Sequence, residues 1–115
     1  MRMWMVEPKY LCRSHLLGEH RELHTLVGTL REGKSIQGYL DGKLVEVHNI
    51  ASRHDALVAE FRRRGWPSGF AHATPLNGFE GFEAGEVDVE ANRKELIRRC
   101  FACAINFQQE ELCYA

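Results

Sequence analysis

SHLLGEHRELHTLVGTL, residues 14–30, is the stretch on which the fold turns. At about 100° per residue, Leu16, Leu23, Val27 and Leu30 fall within about 60° of one another, with Leu17 and His24 further round, which is the apolar stripe of an amphipathic helix. Ser14 is the N-cap of this reading, because a hydroxyl there can accept from an otherwise unpartnered N–H of the first turn. His15, Glu19 and Glu22 are spaced i, i+4 and i+7 and form one nearly straight row on the border of the stripe. Three ionisable groups therefore share one edge of the core.

Further along the chain, Gly33, Gly38 and Gly42 interrupt any helix between 31 and 51. Lys43 to His48 alternates imperfectly and leaves a hairpin turning at Asp41-Gly42 as an open alternative. Ser52 and Asp55 predict a capping-box start for a second helix. Leu57, Val58 and Phe61 supply its core face, and Arg62-Arg63-Arg64-Gly65 with Pro67 its end. Glycines, two prolines and Phe70, Phe79 and Phe82 then describe a long loop pinned by aromatics over 66–86. A third helix is expected over 89–107, with Leu96, Ile97, Cys100, Phe101, Ala104 and Ile105 inside and Arg93, Lys94, Arg98 and Arg99 outside. The expected fold is mainly α, one compact domain of about three helices with long loops.

Composition narrows the function. The 115 residues are 44% hydrophobic and 27% charged, ordinary for a globular domain and too few for separate cofactor and substrate domains. Fifteen Lys+Arg against sixteen Asp+Glu give a net charge of -1, so nucleic-acid binding would need local clustering of charge rather than a global positive field. The opening residues are broken by Arg2, Glu7, Pro8 and Lys9, which fits neither a signal peptide nor a membrane span, and a cytoplasmic protein is expected. In such a setting Cys12, Cys100, Cys103 and Cys113 read as reduced thiols. Cys100-x-x-Cys103 raises a metal site. A convincing one would show a second paired motif, whereas Cys12 stands alone in the sequence and the histidines lack ligand spacing, so buried core thiols and no metal are expected.

Met1-Arg2-Met3-Trp4 is too apolar for a frayed end and is expected to tuck against the fold. Arg2 is too large for removal of the initiator, so Met1 is expected to stay, with a free α-amine or a formyl group. An α-amino group titrates near about 8, against about 10.4 for lysine, and so offers far more neutral nucleophile at neutral pH.

His15-Leu16-Leu17-Gly18-Glu19-His20-Arg21-Glu22-Leu23 meets every fixed position of His-Leu-x-x-Glu-x-Arg-Glu-Leu, the first-helix motif of the pyrimidine-dimer DNA glycosylases of the endonuclease V type. Met1-Arg2-x-Trp4, Pro8-Lys9-Tyr10-Leu11, the Asp88-Val89 region, Asn92, Leu96, Arg99-Cys100 and Cys103 resemble the short bacterial branch of that family. The resemblance implies one glycosylase-like domain over residues 1–115, double-stranded DNA as partner, a monomer, and neither metal nor other cofactor. It also implies attack on the anomeric carbon by the N-terminal amine, an imine, and strand breakage by β-elimination. Carried over by position, the amine belongs to Met1 and the essential carboxylate to Glu22. Arg2 and Arg21 match phosphate-gripping arginines, and His15 a histidine near the site. The phage enzymes present a Thr amine and a longer aromatic tail, whereas here Met1 stands first and the tail 108–115 holds Tyr114 as its aromatic residue.

The same roles follow from chemistry. Displacing a base leaves positive charge on the sugar and then a cationic imine, which a carboxylate a few ångströms away stabilises. Arg93 and Arg98, with Arg62 to Arg64, Lys94, Arg99, Arg2, Arg13 and Arg21, are candidates for one basic DNA-binding face. Helix-end arginines also have a plain dipole explanation. Extruding a nucleotide needs a wedge or receiving pocket, for which Trp66, Phe70 and Trp4 are candidates. The competing class is a DNA- or protein-binding member of the same fold without glycosylase activity, and between the two stands activity on abasic or otherwise modified DNA alone.

Overall fold

A computed structural model describes residues 1–67, 76 and 78–114, excluding the side chains of 110–114. Among the described residues the fold is built of five helices: α1 (Arg13–Arg31), α2 (Gln37–Asp41), α3 (Ile50–Arg63), α4 (Val89–Arg99) and α5 (Phe101–Tyr114). The same residues include two 3-10 turns, Pro8–Tyr10 and Val47–Asn49, and no strand occurs among the described residues. α1 packs on α3 and α4 on α5, and the Pro8–Tyr10 turn touches both α3 and α5 and so joins the two pairs. No helix among the described residues is long and apolar enough to cross a membrane.

α1 buries the expected stripe: Leu16, Leu23 and Val27 are at most 1% exposed, joined by Leu26, while Leu30 is half-buried at the rim. Its N-cap is Cys12 rather than Ser14. The Cys12 sulfur accepts from the His15 N–H, which does the work expected of the serine hydroxyl two residues on, and Ser14 is exposed in the first turn. α3 likewise starts earlier than the capping-box pattern suggests. Its N-cap is Asn49, and the Ser52 hydroxyl, already inside the helix, donates to the Asn49 carbonyl. The end is as expected, with Gly65 at φ +73, a left-handed position that glycine tolerates without strain.

One open alternative is resolved and one expectation is corrected. The segment after α1 forms the short helix α2 instead of a hairpin. The single helix expected over 89–107 is two helices, because Cys100 is extended at φ -128 and ψ 107. The break turns the inner face, so that Cys103 and Phe107 are buried while Phe101 is 82% exposed. Helical periodicity cannot show this, since the apolar positions on either side of Cys100 keep step. Asp88 caps α4 by accepting from the Ala91 N–H.

The N-terminal segment is strapped down, as its apolar character implies. Met3 and Trp4 are buried, the Met3 N–H donates to the Leu44 carbonyl at 2.8 Å, and Asn92 on α4 donates to the carbonyls of both Met3 and Trp4. Arg53 on α3 holds the Val6 carbonyl, and Arg64 holds that of Leu11. Across the chain from this strap, Gly85 lies at φ +89 where a Cβ would come 2.2 Å from the Val45 carbonyl oxygen, so the backbones can meet only with glycine there.

Candidate active site

A cavity of about 300 Å³ opens between the N-terminal segment and α1, lined by Met1, Arg2, Trp4, His15, Glu22 and Arg99 among others. The geometry follows from two periodicities. In an extended segment alternate N–H groups point the same way, and on a helix residues one turn apart share a face. The Arg2 N–H thus donates to Glu22 at 3.0 Å and the Trp4 N–H to Glu19, while the Met3 N–H points the opposite way to Leu44. The row His15, Glu19, Glu22 read from the sequence is the row that receives the N-terminal segment.

The two carboxylates have different tasks. Glu19 is 1% exposed and takes Arg53 in a two-pronged pair, at 2.5 Å from Nε and 2.9 Å from the terminal nitrogen. Burial pushes its carboxyl up against the pull of those bonds. It is a structural anchor beneath the cavity. Glu22 is partly exposed and faces the cavity with one backbone N–H on it. Successive backbone nitrogens lie within about 3.7 Å, so the Met1 amine lies within about 7 Å of the Glu22 carboxylate.

Positive charge converges on the same wall. The Arg2 guanidinium lies 4.5 Å from the centre of the Trp4 ring and that of Arg99 5.3 Å, and the His15 ring meets Trp4 edge-on at 5.6 Å. Burial and the Arg99 charge hold the His15 imidazole below its usual value, with Glu22 opposing. Both effects favour the neutral ring over the imidazolium. Burial and Arg99 likewise lower Arg2, which leaves it charged.

Of the residues read from the sequence, Met1, Arg2, His15 and Glu22 meet at this cavity. Arg21, Arg93 and Arg98 do not line it: Arg21 is exposed on α1, while Arg93 and Arg98 pair with Glu90 and Glu95 of their own helix. Arg63 and Arg64 are similarly held by Glu60. Four of the basic residues, Arg63, Arg64, Arg93 and Arg98, are thus paired with acids three or four positions away on their own segment. Trp4 is a buried wall of the cavity, and Trp66 stacks on Phe61 between Arg13 and Arg64. Phe70 lies outside the described residues.

A family model described as pyrimidine dimer DNA glycosylase matches residues 1–73. The chain belongs to this family. The match takes in the N-terminal segment, the row on α1 and the helix that supplies Arg53, and so brings with it DNA as the partner and DNA repair as the setting. The cavity wall supplied by Arg99 lies beyond it. No curated protein and no solved structure matches the chain.

Cys103 is a core thiol, as expected, with Cys12 and Cys100 packed against that core. Cys12, His15, Cys100 and Cys103 bring their ligand atoms within 4.8 Å of one another, at the junction of the α1 N-terminus with the α4–α5 break. Cys12 is alone in the sequence but not in space, and Cys100 is only half-buried. Burial pushes the Cys103 thiol up to about 12. His20, His24 and His54 also converge within the same limit. These are packed ring on ring, with His20 stacked on His54 at 4.9 Å and edge-on to Phe61 at 5.1 Å, as core aromatics pack. The sequence did carry a signal for the first group: Cys12-x-x-His15 is a second ligand pair of the same spacing as Cys100-x-x-Cys103, overlooked when cysteine pairs alone are sought.

Proposed function

We propose that this member of the pyrimidine dimer DNA glycosylases joins base removal to abasic-site cleavage through an imine on the α-amine of Met1, with Glu22 as the assisting carboxylate. The observation that carries this reading is the Arg2 N–H to Glu22 bond at 3.0 Å, which tethers the first peptide to a carboxylate facing a cavity. The neutral amine attacks C1′ of the damaged nucleotide, and the base leaves with the bonding pair and a proton. Protonation of the ring oxygen then opens the sugar to a cationic imine. Loss of a C2′ proton expels the 3′ phosphate and breaks the strand. Glu22 stabilises the cation and carries protons between these steps. Arg2 and Arg99 flank the cavity where the phosphates beside an extruded nucleotide of double-stranded DNA would lie. No step calls on a metal.

The test is borohydride trapping on a duplex with one abasic site, using protein with a native, unblocked terminus, followed by mass spectrometry of the adduct. An adduct on Met1 is expected. Acetylating the terminus should abolish trapping with DNA binding retained, and Glu22→Gln should slow strand cleavage at least about 100-fold. A folded protein with a confirmed free amine and no adduct would overturn the reading and leave a DNA- or protein-binding member of the fold.

A further inference from the structure

Four side chains from two distant parts of the chain meet beside the cavity. Cys12 and His15 come from the N-cap and first turn of α1, and Cys100 and Cys103 from the α4–α5 break, about ninety residues on. The Cys12 and Cys100 sulfurs are 3.8 Å apart, and Nδ1 of His15 lies 3.2 Å from the Cys12 sulfur and 3.5 Å from that of Cys103. A tetrahedral zinc with bonds of about 2.3 Å to sulfur and 2.0–2.1 Å to nitrogen sets its ligand atoms about 3.8 Å apart for sulfur pairs and about 3.5 Å for sulfur and nitrogen. The observed spacings sit close to both.

The surroundings suit thiolates as well as the spacing does. The Cys103 sulfur accepts from the Cys12 N–H at 3.2 Å, the Cys12 sulfur from the His15 N–H at 3.5 Å, and the Cys100 sulfur from the N–H groups of Ala102 and Cys103. Backbone N–H groups aimed at sulfur are the outer support that orients such ligands and spreads their charge. The extended conformation of Cys100, which breaks an otherwise continuous helical pattern, is what allows its sulfur to meet that of Cys12.

We infer that Cys12, His15, Cys100 and Cys103 form a structural zinc site that clasps the α4–α5 corner to the start of α1. All four tetrahedral positions are filled by protein, so the site has no open position for water or substrate and acts on the fold rather than on DNA. Its effect on the cavity is indirect. It fixes His15 and the end of α4, and with them two walls of the cavity, Arg99 included.

Metal content and cobalt spectroscopy on the full chain test this without any DNA assay. One zinc per chain is expected by elemental analysis after dialysis. Cobalt added to the metal-free protein should give a sulfur-to-metal charge-transfer band and the intense visible bands of a tetrahedral ion. Cys12→Ser and Cys103→Ser should each lose the stoichiometric metal, whereas Cys113→Ser should keep it. His15→Cys should retain cobalt with a spectrum shifted toward four sulfurs, and His15→Ala should weaken binding more than about a hundredfold, beyond what losing a supporting group costs. A folded wild-type chain that takes up no zinc and gives no charge-transfer band overturns the inference. So does loss of thiols with a mass decrease of two hydrogens and no metal, which would mark a disulfide instead.

Discussion

Beneath the cavity, Arg53 reaches Glu19 across 34 residues of sequence, and both side chains are at most 5% exposed. Along α4, Arg93, Arg98 and Arg99 reach Glu90 and Glu95, one turn away on the same helix and in contact with solvent. The chemistry is the same guanidinium on carboxylate, but the consequences differ. A buried pair cannot be opened without leaving a charge in a low dielectric, whereas a surface pair is exchanged for water. Ion pairing thus helps to specify how α1 meets α3, whereas the α4 pairs described here stay within their own helix, and α4–α5 is tied to the rest by Asn92, Asn106, core packing and the thiol–histidine group.

The sharpest break of this comparison is Glu19→Ala. It should strand Arg53 with only the Val6 carbonyl and cost about 3–5 kcal/mol, read as a fall in the urea midpoint at unchanged slope. A loss within about 1 kcal/mol would show that water enters and solvates the guanidinium, and that the pair is not the anchor described.

A smaller effect should separate two neighbours on α4. Arg99→Ala removes a cavity wall, whereas Arg98→Ala removes a solvent-facing cation. If phosphate contacts lie at the cavity, the first should weaken duplex binding about tenfold and lower the salt slope by about one, and the second should leave both nearly unchanged. Equal losses in fluorescence anisotropy titrations would place the DNA across the outer face of α4 instead.

The smallest effect concerns Glu60, whose side chain is 7% exposed between Arg63 and Arg64. Burial pushes its carboxyl up, but the hydrogen bonds and charges of the two arginines outweigh this and hold it below the usual carboxylate range. A lowered folded value means stability that is fully present above the unfolded value of about 4.5 and is lost as pH falls through the folded one. Glu60→Gln should therefore flatten the fall in melting temperature between about pH 5 and pH 3. An unchanged slope would show that the pair contributes nothing to the acid limb.

Much of this arrangement is written in local pattern. The α1 stripe, the core face of α3 and its glycine stop follow from apolar spacing and helix-end chemistry, and the i, i+4, i+7 spacing aligns His15, Glu19 and Glu22 in one row along α1. What periodicity could not reveal depends on partners far along the chain. Nothing local tells Glu19, which finds a buried guanidinium, from Glu22, which faces the cavity. Cys12 displaces Ser14 as the cap because its sulfur faces His15, and the extended Cys100 is invisible in an apolar run that keeps helical step across it. Arg98 and Arg99 differ only in which way the end of α4 points.

The straps over the N-terminal segment also set an order of events during synthesis. The carbonyls of Met3 and Trp4 wait for Asn92, that of Tyr10 waits for Asn106, and the Cys12 N–H waits for Cys103. A growing chain on the ribosome exposes its first residues long before it makes their partners. The cavity is therefore completed only when Arg99 at the end of α4 emerges, and the straps on Tyr10 and Cys12 only when α5 follows, so a product truncated before α4 would present its first residues without the groups that hold them.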